Sequence, residues 1–173
     1  MTAIVPLETA ALDFDRLVRE HQAMVYSVAW HFLHDRPLAE EVAQDVFLSL
    51  HRNLAGIESP RHAAAWLRKV AVQRSIDAGR RRKRVPRIGL EEAPEPVSLD
   101  PRYDPWLGEA LRRMVASLPE AQRMAVILRY QEELEPAEIA GVLEMPVATV
   151  KSHLHRGLAL LREKMERRGL GER

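Results

Sequence analysis

A group of short polar and basic side chains interrupts the apolar pattern near the C-terminal end. The residues outside the apolar stripe of "PVATVKSHLHR" include Thr149, Lys151, Ser152, His155 and Arg156. Basic groups bind phosphates, and serine or threonine hydroxyls bind bases or the nucleic-acid backbone. At the N-terminal end of a helix, such residues are typical of a recognition helix that enters the major groove of DNA.

A second basic cluster lies in the middle of the chain, although the net charge of the whole chain is only +1. From Arg61 to Arg87 there are ten lysines and arginines, and Asp77 is the one acid among them. We interpret this cluster as a surface along which phosphates pass. The alternative for the arginines from Arg80 to Arg84 is the solvated end of a helix.

Helical periodicity predicts the elements that position both clusters. Apolar residues recur three and four positions apart in three N-terminal segments, which begin near Phe14, Pro37 and Pro60. Ser59 followed by proline is typical of a helix N-cap. The third helix is predicted to bury one face, formed by Trp66, Leu67, Val70 and Ile76.

Four further helices are predicted in the C-terminal part of the chain. They run from Pro105 to Leu118, from Pro119 to Gln131, from Pro136 to Leu143, and from Val147 to beyond Arg162. The last two carry complementary apolar faces around a tight break that contains Pro146, which is the pattern of a helix-turn-helix. The chain is therefore predicted to be all-α, with two small helical domains.

The stretch between the two helical blocks changes in character. Residues 89–105 contain five acids and four prolines, and proline fixes φ and removes backbone donors. We predict a tail at 1–12, a domain at 13–84, an extended linker at 85–105, a domain at 106–168 and a tail at 169–173. We interpret the linker as a tether. The alternative is an acidic mimic of nucleic acid that holds the free protein closed.

The composition argues against several classes of protein. The chain has no cysteine, which excludes disulfides, thiolate chemistry and cysteine-based zinc sites. No apolar stretch approaches a membrane span, and the N-terminus lacks a signal-peptide pattern. His31 and His34 lie three residues apart, but no carboxylate or cysteine completes a metal site with them. Without a phosphate loop, nucleophile elbow or ligand cluster, we expect a protein that is not an enzyme and needs no cofactor.

The stretch "LPEAQRMAVILRYQEELEPAEIAGVLEMPVATVKSHLHRGLALLRE" spans two helices and a helix-turn-helix in register. It resembles region 4 of the extracytoplasmic-function sigma factors, a branch of the sigma-70 family. The stretches "AEEVAQDVFLSL" and "WLRKVAVQRSIDAGRRR" resemble region 2 of the same family. Together these resemblances cover the chain from about Phe14 to Met165.

The resemblance implies a cytoplasmic protein that binds core RNA polymerase and recognises and helps to open promoter DNA. The clamp of the largest polymerase subunit would be gripped by a helix carrying Glu41, Gln44, Asp45 and Leu48. The −35 element would be contacted by Thr149, Lys151, Ser152, His155 and Arg156. The −10 element would be contacted by Arg61, His62, Arg68, Lys69, Arg74 and Arg80. The loop from Asn53 to His62 would receive a flipped base.

The resemblance also implies regulation by a partner protein. Family members are commonly held inactive by an anti-sigma partner, and the resemblance implies one here too.

The turn of the helix-turn-helix departs from the family pattern. The family usually has glycine in this turn, where this chain has Glu144. A glutamate is costly there if φ is above zero.

The rival interpretation is a dimeric helix-turn-helix regulator that binds operators without polymerase. It explains the C-terminal block but assigns no role to "AEEVAQDVFLSL" or to the basic third helix.

Overall fold

The predicted helices are present in a computed structural model that describes residues 12–85 and 105–169, with side chains from residue 108 onward in the second range. The described part has no strand, which confirms the all-α prediction. Its helices are α1 (Phe14–Leu33), α2 (Arg36–Asn53), α3 (Pro60–Arg84), α4 (Pro105–Ala116), α5 (Glu120–Tyr130), α6 (Pro136–Leu143) and α7 (Val147–Arg167). A short 3-10 helix, Leu54–Gly56, follows α2. The linker prediction falls almost entirely on residues 86–104, which lie outside the described residues.

Side-chain caps fix where the first three helices begin. A carboxylate oxygen of Asp13 accepts from the backbone N–H of Asp15 at 3.1 Å, and one of Asp35 accepts from Leu38 at 2.9 Å. The hydroxyl of Ser59 accepts from the backbone N–H of His62 at 3.1 Å, as the sequence predicted for an N-cap. Each contact satisfies a backbone donor that the helix itself leaves unpaired.

The first three helices pack around one apolar core. Its fully buried members include Val25, Val28, Val46, Leu50, Leu67 and Val72. The prediction for the buried face of α3 is correct for Leu67, but Trp66, Val70 and Ile76 are only partly buried. The helix instead buries a narrow face of small residues, namely Ala63, Ala71, Ser75 and Ala78. Small side chains let helices approach closely, and a Cβ on Gly79 would lie 3.2 Å from the Phe32 ring.

The last four helices contribute the remaining buried apolar residues, which belong to the same hydrophobic cluster as those of the first three. These residues include Met114, Leu118, Met124, Leu128, Ile139 and Val150. Helix α7 lies against α5, and Gly157 faces Val126 and Gln122 of α5. A Cβ on Gly157 would lie 3.0 Å from Cγ2 of Val126, so this contact requires a residue without a side chain or a shift of the valine.

The turn between α6 and α7 adopts the backbone conformation that normally favours glycine. Glu144 has φ 53° and ψ 46°, which is the left-handed region. Its N–H and that of Met145 both donate to the carbonyl of Ala140, which closes the end of α6. Pro146 then forms the N-cap of α7, so the helix-turn-helix is built with glutamate at its left-handed position.

The two helical units are in contact with each other. The C-terminal half of α1 meets α5, α1 also contacts α4, and α3 contacts α6. Within the described ranges, no helix combines the length and hydropathy that a membrane span requires.

Candidate nucleic-acid and polymerase interfaces

The first turns of α7 expose a polar and basic surface. The exposed residues are Lys151, Ser152, His155 and Arg156, and their spacing of three and four positions places them on one face. Thr149 lies beside them and is half-buried. The opposite face of the helix is buried through Val150 and Leu154. The structure therefore brings all five residues of the predicted −35 site to the N-terminal half of one helix.

The N-terminus of α7 is open to an anionic ligand. Pro146 is its N-cap, and no side chain in the described part of the chain caps the helix. The positive end of the helix dipole and the exposed Lys151 and Arg156 therefore attract negative charge to the same place. This electrostatic arrangement suits a phosphate backbone, as a recognition helix requires.

The six residues of the predicted −10 site all lie on α3 but are not on one face. At 100° per residue, Arg61, His62, Arg68, Lys69 and Arg80 fall within an arc of about 120°. Arg74 lies roughly 120–140° away from Lys69 and Arg80 around the helix. Its Nη2 donates instead to the hydroxyl of Ser49 on α2 at 3.3 Å. This angular separation follows from the residue spacing once α3 is taken as one continuous helix, whereas the contact with Ser49 is seen only in the structure.

Several of these side chains already have partners within the chain. Lys69 forms an ion pair with Glu144, and Arg80 forms a two-point ion pair with Glu120, at 2.7 Å from Nη2 and 3.2 Å from Nε. The hydrogen bonds that Arg80 donates to Glu120 raise the pKa of Arg80 above its ordinary value. His62 accepts from the backbone N–H of Glu58 at 3.2 Å. Among the described residues, the buried Nε of Arg68 makes no hydrogen bond.

The arginine run at the end of α3 has more than one role. Arg82 donates to the carbonyl of Leu33 at 2.9 Å and lies 3.3 Å from a carboxylate oxygen of Asp35. It therefore fastens α3 to the α1–α2 turn. Arg81, Lys83 and Arg84 are exposed, as in the solvated-end interpretation. The run as a whole is neither purely structural nor purely a surface for phosphates.

The residues predicted to bind polymerase share one face of α2. Glu41 and Gln44 are exposed, Asp45 is half-buried, and Leu48 is 54% exposed, which is unusual for a leucine. Their spacing of three and four positions aligns them along the helix. The structure thus presents an acidic and polar edge with an apolar residue at one end.

Beside this face, α1 and α2 enclose an open groove of about 760 Å³. Gln44 and Leu48 line it, together with Phe14, Tyr26 and Phe47. Glu41 and Asp45 are not among its lining residues. Sequence reasoning missed the aromatic lining because Phe14 and Phe47 fit the apolar stripe of a core. The available signal was that Phe47 lies toward the edge of the buried stripe of α2.

Partly buried charged and titratable groups lie where the two helical units meet. Arg123 of α5 donates from Nη1 to the carbonyl of Phe32 at 3.2 Å and from Nη2 to that of Leu118 at 3.1 Å. Burial lowers the pKa of Arg123. Burial also lowers the pKa of His34 to about 4, and the positive charges of nearby groups add to the effect. The hydroxyl of Ser27 donates to a carboxylate oxygen of Glu132 at 2.8 Å.

Within residues 12–85 and 105–169, no three histidine, aspartate or glutamate side chains form a group that could hold a metal ion. His31 and His34 are therefore not part of such a group among these residues. His31 is within 2.8 Å of the carbonyl of Ser27 through Nδ1, and His34 packs edge-on against Trp30.

Comparisons with known proteins agree with this arrangement of helices. Sigma-70 region 2 matches residues 17–85, and sigma-70 region 4 matches residues 108–161. The ECF RNA polymerase sigma factor SigE of Mycolicibacterium smegmatis is 32% identical over 165 residues, which cover 90% of this chain and 63% of that longer protein. The RNA polymerase sigma-E factor of Streptomyces avermitilis is 32% identical over 163 residues, which cover 94% of this chain and 90% of that protein.

A solved structure supports the fold. The sigma factor RpoE in complex with the anti-sigma factor NepR from Bartonella quintana is similar with a TM-score of 0.68 at 19% identity, covering 89% of this chain and 97% of that one. The two matched regions account for most of the chain, and the Streptomyces avermitilis relative is matched over nearly its whole length. The chain therefore belongs to the extracytoplasmic-function sigma factors of the sigma-70 family, which direct promoter-specific transcription initiation by RNA polymerase.

Proposed function

We propose that this sigma factor divides promoter recognition between two domains, residues 13–84 as region 2 and residues 106–168 as region 4, which residues 85–105 tether. Region 2 would bind core polymerase and the −10 element, and region 4 would bind the −35 element. The observation that carries the proposal is the exposed polar and basic face at the N-terminal half of α7, the second helix of a helix-turn-helix.

The polymerase contact is assigned to the exposed face of α2. Glu41, Gln44 and Asp45 would meet polar or basic groups on the clamp of the largest subunit. Leu48 and the adjacent groove would receive an apolar side chain, because burying an exposed leucine upon binding is favourable. A polar edge next to an apolar groove combines specificity with affinity.

The −10 contact is assigned to α3 and to the loop from Asn53 to His62. Five residues of α3 would contact the DNA backbone along their common face. They are Arg61, His62, Arg68, Lys69 and Arg80. Arg74 would act separately, because its side chain reaches from α3 to Ser49, close to where the loop begins. It donates to the hydroxyl of Ser49, and the side chain of Asn53 donates to the carbonyl of Ser49 at 2.7 Å. That position suits the phosphate of a nucleotide whose base is flipped into the loop.

The −35 element would be contacted in the major groove by Thr149, Lys151, Ser152, His155 and Arg156. The protein would act in the cytoplasm as a regulatory subunit, without catalysis of its own. We also propose an anti-sigma partner, since the similar RpoE structure is a complex with one.

Transcription in vitro with purified core polymerase tests the proposal. The template is a library of random upstream sequences, assayed with and without this protein. We expect initiation at a shared two-part motif only when the protein is added. Absence of initiation, together with retention of palindromic DNA by the protein alone, would instead indicate a dimeric regulator.

A further inference from the structure

Two of the cations proposed to bind the −10 element are occupied by carboxylates of the other domain. Lys69 pairs with Glu144, in the turn of the helix-turn-helix, and Arg80 pairs at two points with Glu120 at the start of α5. The two cations are eleven positions apart on α3, about three helical turns, and they point in nearly the same direction. Region 4 therefore places two carboxylates against the α3 face along which a DNA backbone would pass.

The backbone at Glu144 supplies an independent observation. This residue has φ 53°, a conformation that glycine adopts without strain and that glutamate adopts at a cost. Strained residues persist where the surroundings hold them, and they point to a role for the side chain. Here the side chain reaches across to Lys69, which glycine could not do.

Other contacts hold the two domains together on the same side. Arg123 donates to the Phe32 carbonyl and lies over the Phe32 ring, with Cζ 4.9 Å from the ring centroid. Ser27 donates to Glu132. All these partners in region 2 lie on the C-terminal half of α1 or on α3. None of the residues that line the α1–α2 groove takes part in these contacts.

We propose that the free protein holds itself closed by a carboxylate latch, in which Glu120 and Glu144 occupy Arg80 and Lys69. The latch rests on the proposed function, since it matters only if those two cations bind DNA. In the closed form the groove and Leu48 stay accessible to polymerase while both cations are paired with carboxylates. The free protein would therefore bind promoter DNA more weakly than the protein whose domains polymerase has separated.

The latch is a bias rather than a lock. Both ion pairs are partly exposed, and an exposed pair changes an equilibrium by at most about fivefold. Neutralising both carboxylates should therefore increase the affinity of the free protein for DNA by about three- to tenfold. Competition of this size delays DNA binding but does not prevent polymerase from separating the two domains.

The test measures domain separation and DNA binding in the same variants of the full chain. Because the chain has no cysteine, Asp15→Cys and Arg162→Cys provide unique sites for a pair of fluorescent dyes, one in each domain. The latch variant is Glu120→Gln with Glu144→Gln. The control is Glu163→Gln with Glu166→Gln, which changes the net charge equally on α7, away from α3. DNA binding is measured with a labelled single-stranded 20-nucleotide DNA of random sequence.

We expect energy transfer to fall and DNA affinity to rise about three- to tenfold in the latch variant, relative to the control. Glu144→Gly should also reduce energy transfer while raising the melting temperature, because it removes the strain together with the latch. Unchanged energy transfer in both variants would overturn the latch and leave the proposed function intact. If energy transfer falls but DNA affinity does not exceed that of the control, the two carboxylates do not compete with DNA for Lys69 and Arg80. In that case Lys69→Ala with Arg80→Ala, assayed for promoter opening in the holoenzyme, shows whether the −10 assignment fails as well.

Discussion

The guanidinium group of Arg123 joins the two domains through Phe32. It lies over the Phe32 ring at 4.9 Å and donates to the carbonyl oxygen of the same residue at 3.2 Å. The other amino group donates to Leu118 within region 4, so one side chain ties the start of α5 to the end of α1. Removing partly buried arginine donors that bond to carbonyls is destabilising, because the acceptors are left unpaired.

Arg123→Met tests this connection, since methionine keeps much of the apolar volume but provides no donors. We expect a loss of about 2 kcal/mol in the free energy of unfolding, from the hydrogen bonds and the cation–π contact. Urea unfolding followed by circular dichroism measures it. The control is Arg113→Met, where the arginine is exposed and pairs with Glu109. Equal losses in the two variants would show that Arg123 contributes nothing beyond a surface arginine.

His34 should make the stability of the protein depend on pH. Burial holds its pKa at about 4, against an ordinary value of 6.5. The unfolded chain therefore binds a proton that the folded chain does not, and stability is lost as the pH falls from 6.5 toward 4. Between pH 7.5 and pH 5 the loss attributable to His34 is about 2 kcal/mol.

His34→Asn removes the titration and suits the left-handed backbone at φ 49°, which asparagine tolerates. The free energy of unfolding is measured from pH 7.5 to pH 5 for both proteins. The variant should lose about 2 kcal/mol less than the natural sequence over this range. Parallel pH dependences would contradict the assignment. His31, Glu109, Arg112 and Arg123 also act on His34, and all four remain in the variant.

Gly157 allows α7 to lie against α5. Gly157→Leu should lower the free energy of unfolding by about 1–3 kcal/mol, because the new side chain meets Val126 and Gln122. Gly141→Leu on α6 is the matched control, since a Cβ there meets nothing within 4 Å. Leucine also favours helix over glycine, so the control should be neutral or stabilising. Thermal unfolding distinguishes the two variants, and a stable Gly157→Leu protein would refute the close approach.

The helices were predictable because their signals are local. Pro37, Ser59 with Pro60, Pro119 and Pro136 each mark a helix start, and the periodic apolar residues between them mark the helix bodies. The helix-turn-helix followed from the same signals around Pro146. The polar face of α7 was also predictable, because the apolar residues that form its opposite, buried face lie on the same helix.

Features that depend on neighbouring helices were not predictable in this way. Trp66 and Ile76 fit an apolar stripe, yet α3 buries alanines instead, because close packing against α1 and α2 selects small side chains. The contact of Arg74 with Ser49 likewise depends on how α2 packs against α3. The ion pairs of Lys69 and Arg80 join residues 75 and 40 positions apart, and no periodicity links such positions.

The polymerase assignment predicts a binding defect without a folding defect. Asp45→Ala and Leu48→Ala should each weaken binding to core polymerase by about tenfold, since few interface residues carry most of the affinity. Both side chains lie at least partly in solvent, so the melting temperature should change little. Leu111→Ala, at another exposed leucine, serves as the control. Affinity equal to that of the control would remove α2 from the polymerase interface.

The double variant Lys151→Ala with Arg156→Ala tests whether separate domains recognise separate promoter elements. The measurement is the set of sequences that support initiation by the reconstituted holoenzyme, selected from random upstream DNA, with Arg162→Ala and Arg168→Ala as the control. We expect the variant to lose the upstream half of the motif, to keep the downstream half and to bind core polymerase normally. Loss of both halves, or of polymerase binding, would contradict the division of recognition between the two domains.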